Sequence, residues 1–176
     1  MSTNNSAGLV FGRLRGKPGS QESVCVARAG GHGPRMAEPP PHIDGIVESV
    51  LYSDDLPRAV AFYRDELGLE LMAGDGERFQ ALRAGPQVLL LFKRGGTLAP
   101  TEVPGGVIPP HDGRGPHHIG FAVSKSSFGA WRRRLQTHGI PVESETTWER
   151  GGRSVYFRDP DGHLVELVTP GIWPNY

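Results

Sequence analysis

A chain of 176 residues with 19 Lys and Arg balanced by 19 Asp and Glu has no net charge when histidine is neutral, so neither nucleic acid nor an anionic membrane is an expected partner. The single cysteine, Cys25, leaves no disulfide framework and no thiolate metal site, and no apolar run approaches the roughly 18–20 residues needed to cross a bilayer. One well-buried domain fits this length, and the expectation is a soluble cytoplasmic protein.

Residues 1–41 are rich in Gly, Ser, Asn, Arg and Pro without sustained periodicity and read as a disordered tail. Several arginines and few acids bring a transit peptide into consideration, but the stretch holds no convincing amphipathic helix. A tail, or a translation start at Met36, is the preferred reading. Residues 42–176 make up the folded domain. Its first strand spans residues 43–52, with Val47, Ser49 and Leu51 on one face and Ile46, Glu48, Val50 and Tyr52 on the other. Ser53-Asp54-Asp55-Leu56-Pro57 is a helix-start signal. Val60, Tyr63 and Leu67 then keep helical spacing until Gly68 stops the helix. Strands over residues 69–72, 78–83 and 87–92 complete a β-α-β-β-β unit.

A Gly/Pro-rich connector over residues 95–116 carries Pro109-Pro110-His111, and then the pattern repeats. A strand covers residues 117–123 and a helix residues 126–137. His138-Gly139-Ile140 echoes Leu67-Gly68-Leu69, and a further strand covers residues 142–146. The last two strands, residues 154–157 and 164–168, are joined by Asp159-Pro160-Asp161-Gly162, in which Pro fixes φ and Gly takes positive φ. The fold class is therefore α+β, built from two tandem βαβββ modules, and this duplication is the strongest organisational signal in the chain. Laid on itself, Glu48-Ser49-Val50-Leu51 falls on His118-Ile119-Gly120-Phe121. Gln87-Val88-Leu89-Leu90 falls on His163-Leu164-Val165-Glu166.

Glu166 stands in a strand otherwise made of Leu and Val, where a carboxylate is costly to bury unless it is paired or bound to a metal; a solvent-facing position on a half-exposed strand also accommodates it. Strand parity turns Ile119, Phe121 and Val123 toward the helix and leaves His118 on the opposite, concave face with Gly120 and Ala122. A lone strand histidine is more often a hydrogen-bonded structural residue. Taken with Glu48 and Glu166 at matching places of a duplicated scaffold, His118 joins a carboxylate-imidazole-carboxylate set that suits Mn, Fe(II), Ni, Zn or Mg. His111, in the loop before the His118 strand, is a candidate substrate contact or a loop filler. Ser154 and Tyr156 share a parity beside the Glu166 strand and are candidate substrate contacts, although Tyr156 could equally be core. His117 points away and reads as a surface or supporting residue, His163 as exposed at the turn exit, and Trp148 and Trp173 as anchors of core or subunit contacts. The Arg132-Arg133-Arg134 run reads as a solvated helix face. No nucleophile elbow, phosphate loop or dinucleotide fingerprint is present.

Three stretches resemble the vicinal oxygen chelate superfamily, the glyoxalase, bleomycin-resistance and extradiol-dioxygenase fold. They are Leu56-Pro-Arg-Ala-Val-Ala-Phe-Tyr-Arg-Asp-Glu-Leu-Gly-Leu69, Gly115-Pro-His-His-Ile-Gly-Phe-Ala-Val123 and Tyr156-Phe-Arg-Asp-Pro-Asp-Gly-His-Leu-Val-Glu166, within a match over about residues 43–171. The resemblance implies a cup around a divalent metal, with Glu48, His118 and Glu166 as ligands and substrate oxygens completing the sphere. It implies a homodimer, with Glu48 of one chain joining His118 and Glu166 of the partner. It also implies metal-dependent lyase or isomerase chemistry in which Glu166 or Glu48 serves as general base. An extradiol-type dioxygenase, or a non-catalytic bleomycin-resistance-like binder, is the alternative. Three departures bear on this. Leu90 stands where glyoxalase I and methylmalonyl-CoA epimerase carry a fourth ligand. Glu48 stands where extradiol dioxygenases and fosfomycin-modifying enzymes carry His. Ser154 and Tyr156 match phosphonate-contacting positions of the fosfomycin enzymes, but the lysine of that anion site is missing, with Thr146 near its place.

Overall fold

The structure, a computed structural model, describes residues 39–176, so Cys25, Met36 and nearly all of the expected tail lie outside the described residues. Residues from Ile43 to Tyr176 form one compact unit. Its first module is β1 (Glu48–Ser53), α1 (Leu56–Ala61) continued by a π-helical turn (Phe62–Glu66), β2 (Glu70–Gly74), β3 (Phe79–Ala84) and β4 (Gln87–Lys93). Its second is β7 (His118–Ala122), α2 (Phe128–Thr137), β8 (Val142–Thr147), β9 (Arg153–Arg158) and β10 (Leu164–Val168). The sheets have the same order, β1-β4-β3-β2 and β7-β10-β9-β8, each with its first and last strands parallel. The registers also agree. Glu48 pairs with Val88 and Val50 with Leu90, while His118 pairs with Leu164 and Gly120 with Glu166. Glu48 and His118 therefore occupy one position of the repeat, and Leu90 and Glu166 another.

Local chemistry explains the boundaries. The Asp55 carboxylate caps α1 by accepting from the Arg58 amide, with Pro57 in the first turn where no amide is required. The Leu67 amide then reaches back to the Phe62 carbonyl (3.3 Å), and Gly68 leaves the helix at φ +73°, a conformation that suits glycine. Arg134 of α2 donates to the Asp65 and Glu66 carbonyls (2.5 and 2.7 Å), satisfying acceptors that a helix end would otherwise leave open.

Two elements differ from the sequence expectation. β1 begins at Glu48, and Ile43, Ile46 and Val47 are exposed, because the partner strand β4 starts only at Gln87 and its ladder ends where the Val88 amide meets the Val47 carbonyl. The connector contains a hairpin, β5 (Thr101–Val103) and β6 (Gly106–Ile108). Pro104-Gly105 turns between two runs containing β-branched residues, a hairpin signal hidden by the surrounding glycines and prolines. No helix among the described residues is long and apolar enough to cross a membrane.

One core spans both modules, with Leu51, Leu56, Tyr63, Leu82, Leu89 and Leu91 from the first and Phe128, Leu135, Val155, Phe157, Val165 and Leu167 from the second. Tyr63 lies near Phe121, while Phe62 lies near Phe157. The turn between β9 and β10 fastens the modules together. Asp159 accepts from the Asp161 and His163 amides on one oxygen and from the buried Tyr63 phenol (2.9 Å) on the other. Asp161 accepts from the Ser53 hydroxyl (2.6 Å) and the Asp54 amide (3.0 Å).

His163 corrects an expectation. It is 1% exposed, not exposed at the turn exit. Its Nδ1 accepts from the His117 amide (2.9 Å), so Nε2 carries the proton and donates to the Tyr52 carbonyl (2.9 Å). His117 is partly buried with its ring edge-on against His163, which favours the supporting role over the surface one among its two expected readings. Both are covered because module one docks on this turn.

Candidate metal centre

Alternation along β7 is what builds the site. Ile119 and Phe121 pack toward the core, and His118, Gly120 and Ala122 face a cavity that Glu166 and Val168 of β10 also line. Glu166 is buried, 7% exposed. Its Oε1 accepts from the Tyr156 phenol (2.9 Å), and its Oε2 lies 3.3 Å from His118 Nε2. His118 Nδ1 faces the Leu164 carbonyl at 3.1 Å. A carbonyl only accepts, so a proton sits on Nδ1, and in the neutral ring Nε2, on the cavity side beside Glu166, is the nitrogen with the lone pair. Glycine at 120 keeps that face open, since a Cβ there would lie 3.4 Å from Glu166 Oε2.

Tyr156 is held above the ordinary phenol range, first by burial and then by the Glu166 carboxylate, with Ser154 opposing the shift. It therefore remains a donor to Glu166 through neutral pH. Ser154 is fully buried, and its hydroxyl accepts from the Trp148 indole (2.8 Å), so it meets the cavity through that ring. Trp148 and Trp173 line the cavity with Ile172 and Tyr176, whereas the sequence reading made the two tryptophans core or subunit anchors.

Glu48 and His111 lie apart from this group in the chain. Glu48 is exposed on β1. His111 sits over the first module, with Nδ1 2.6 Å from the Tyr52 hydroxyl and its ring edge-on to Phe92. Among the described residues no cluster of three or more His, Cys, Asp and Glu could hold a metal ion. The single chain thus offers two convergent donors, His118 and Glu166.

Residues 41–167 match the family model of the Glyoxalase/Bleomycin resistance protein/Dioxygenase superfamily. The chain belongs to this superfamily. A metallothiol transferase FosB of Staphylococcus saprophyticus is 26% identical over 126 residues, 70% of this chain and 76% of that protein. A FosB of Shouchella clausii is 41% identical over 54 residues, a match that spans 30% of this chain and only 37% of that protein. Among solved structures, lactoylglutathione lyase from Agrobacterium tumefaciens superposes with a TM-score of 0.68 at 35% identity, covering 75% of this chain and 98% of that one.

Several features of this superfamily member fit a hard or borderline divalent cation. An imidazole with Nε2 turned to the cavity stands beside a buried carboxylate that has one oxygen clamped by a phenol. Oxygen and imidazole donors suit such an ion, and the clamping partner is what orients a ligand.

Proposed function

We propose that the protein is a divalent-metal-dependent enzyme of lyase or isomerase type, acting on a small oxygenated substrate in a cup shared between two subunits. The observation that carries the reading is the pairing of His118 Nε2 with Glu166 Oε2 at 3.3 Å on the wall of a cavity. The repeat supports the sharing. Glu48 holds the position of His118 in the other module, yet Glu48 belongs to no metal-competent cluster within the described residues of the chain. In a two-fold dimer, Glu48 of one protomer completes the set begun by His118 and Glu166 of its partner. The strands concerned, β1 and β7, are sheet edges, and edges are where a second chain adds.

A metal held by these three residues would supply Lewis-acid stabilisation of negative charge on a substrate oxygen. The side chains have separate tasks. Tyr156 holds Oε1 of Glu166, fixing that carboxylate as a ligand. Glu48 is exposed and unclamped by comparison, which makes it the better general base to take a proton from substrate carbon. The named relatives widen the reaction class to group transfer. The three residues would hold the metal under either class, while removal of a carbon-bound proton by Glu48 belongs to the lyase or isomerase reading alone.

Elemental analysis tests the proposal. The wild type is expected to hold stoichiometric divalent metal, and Glu48→Ala, His118→Ala and Glu166→Gln each to lose metal and turnover. Mixing the Glu48→Ala and His118→Ala proteins should restore activity, because the mixed dimer contains one intact site. Turnover unchanged in Glu166→Gln, or no recovery on mixing, would reject the respective assignment.

A further inference from the structure

Four aromatic rings surround the His118–Glu166 pair, and only Tyr156 has a task so far. Trp148, Trp173 and Tyr176 line the same cavity, of about 580 Å³, with Val168 and Ile172, a volume that fits a small molecule. Trp173 is 65% exposed and Trp148 40%, an unfavourable way to leave two indoles unless something covers them. Their supports are fixed. The Trp148 indole is bonded to the buried Ser154 hydroxyl, and its main chain is tied to Gly151 and Gly152. Residues 171–176 close on themselves, the Gly171 amide reaching the Tyr176 carbonyl (2.7 Å) and the Tyr176 amide the Trp173 carbonyl (3.1 Å). The Tyr176 phenol anchors the segment to the Val168 carbonyl (3.1 Å) of β10. Gly152 joins the two walls through the Gly171 carbonyl, and a Cβ at Gly152 would meet Gly171 at 2.7 Å.

The charge of the cavity is equally specific. No Lys or Arg is among the residues lining it, and its carboxylate is Glu166. Beyond the metal that His118 and Glu166 would hold, the wall has no lysine or arginine to pair with an anionic substrate tail, which would lose its hydration there. The face of module one at the matching strand positions is also aromatic, with Phe79 stacked on Phe92 and Phe92 near Tyr52.

Resting on the metal reading above, we propose that the substrate carries an uncharged aromatic group next to its metal-chelating oxygens. This group packs on Trp148, Trp173 and Tyr176, which makes that wall the determinant of substrate choice.

Benzohydroxamate and acetohydroxamate share a chelating head and differ by a phenyl ring, so their affinity ratio reads the wall. In metal-loaded protein, benzohydroxamate is expected to bind tighter by about 10-fold or more, from ring burial and stacking. In Trp173→Ala and in Trp148→Ala the ratio should fall toward unity with metal content unchanged. Equal binding of the two hydroxamates to wild type, or a ratio untouched in both variants, overturns the proposal. If Trp173→Ala dissociates a dimer while the ratio persists, Trp173 is a subunit contact and the proposal also fails. Wild type that takes up no divalent metal defeats the metal reading alone. The wall is then judged with benzamide against acetamide, for which equal tryptophan quenching overturns it.

Discussion

Glu166 is kept in a strand of leucine and valine by two neighbours, the Tyr156 phenol on one oxygen and the His118 imidazole near the other. Removing the phenol tests how much orientation matters. Tyr156→Phe should retain the fold and weaken metal affinity by about 10–100-fold, the usual cost of losing a group that orients a ligand; a metal titration against wild type measures it. Unchanged affinity would mean that Glu166 is oriented by packing alone. Residue chemistry made part of this legible. A carboxylate among apolar strand neighbours stands out, and alternation is enough to put His118 with Gly120 and Ala122. The burial of His163 was not legible, because it comes from the Tyr52 carbonyl 111 positions away. Nor was the place of Trp173 on the cavity wall, which depends on how residues 171–176 fold back on β10.

At the scale of elements, α1 and its π-helical turn deliver Tyr63 to the centre of the molecule, where it is fully buried and donates to Asp159. Burial first, then the neighbouring Asp159 carboxylate, holds this phenol well above its ordinary range. A group whose folded pKa is raised stabilises the fold fully below its unfolded value, about 10 for tyrosine. That contribution is lost as pH rises above this value toward the folded one. Stability should therefore fall on the alkaline side from about pH 10, and Tyr63→Phe should flatten that fall while costing about 1–2 kcal/mol at neutral pH for the hydrogen bond lost by Asp159. Denaturant melts at neutral and alkaline pH separate the two effects. Equal alkaline slopes in both proteins would remove Tyr63 as their source. Periodicity gave away α1 because Val60, Tyr63 and Leu67 repeat at helical spacing. It placed the start of β1 too early because exposed Ile43, Ile46 and Val47 look like strand until the length of the partner strand is known.

For the molecule as a whole, duplication was the legible feature, since two helix-stop glycines and two sets of strands align along the chain. How the halves meet was not, because the polar contacts that fasten them join residues 96 to 111 positions apart. Asp161, with a side chain 3% exposed, takes bonds from Ser53 and Asp54 and faces Arg58 at 3.6 Å. Asp161→Ala strands the buried Ser53 hydroxyl and should cost about 1–3 kcal/mol, read as a lower thermal midpoint with metal content retained. An unaltered midpoint would show that the apolar core alone holds the modules.

That fastening also has a direction in time. The bonds from Tyr63 to Asp159, Ser53 to Asp161 and Tyr52 to His163 span 96, 108 and 111 positions. A ribosome adding about 5–20 residues per second therefore leaves module one waiting for seconds before its clasp is made. During that interval the Tyr63 phenol lacks the Asp159 carboxylate and the Ser53 hydroxyl lacks that of Asp161, so both donors of the nascent first half must turn to water.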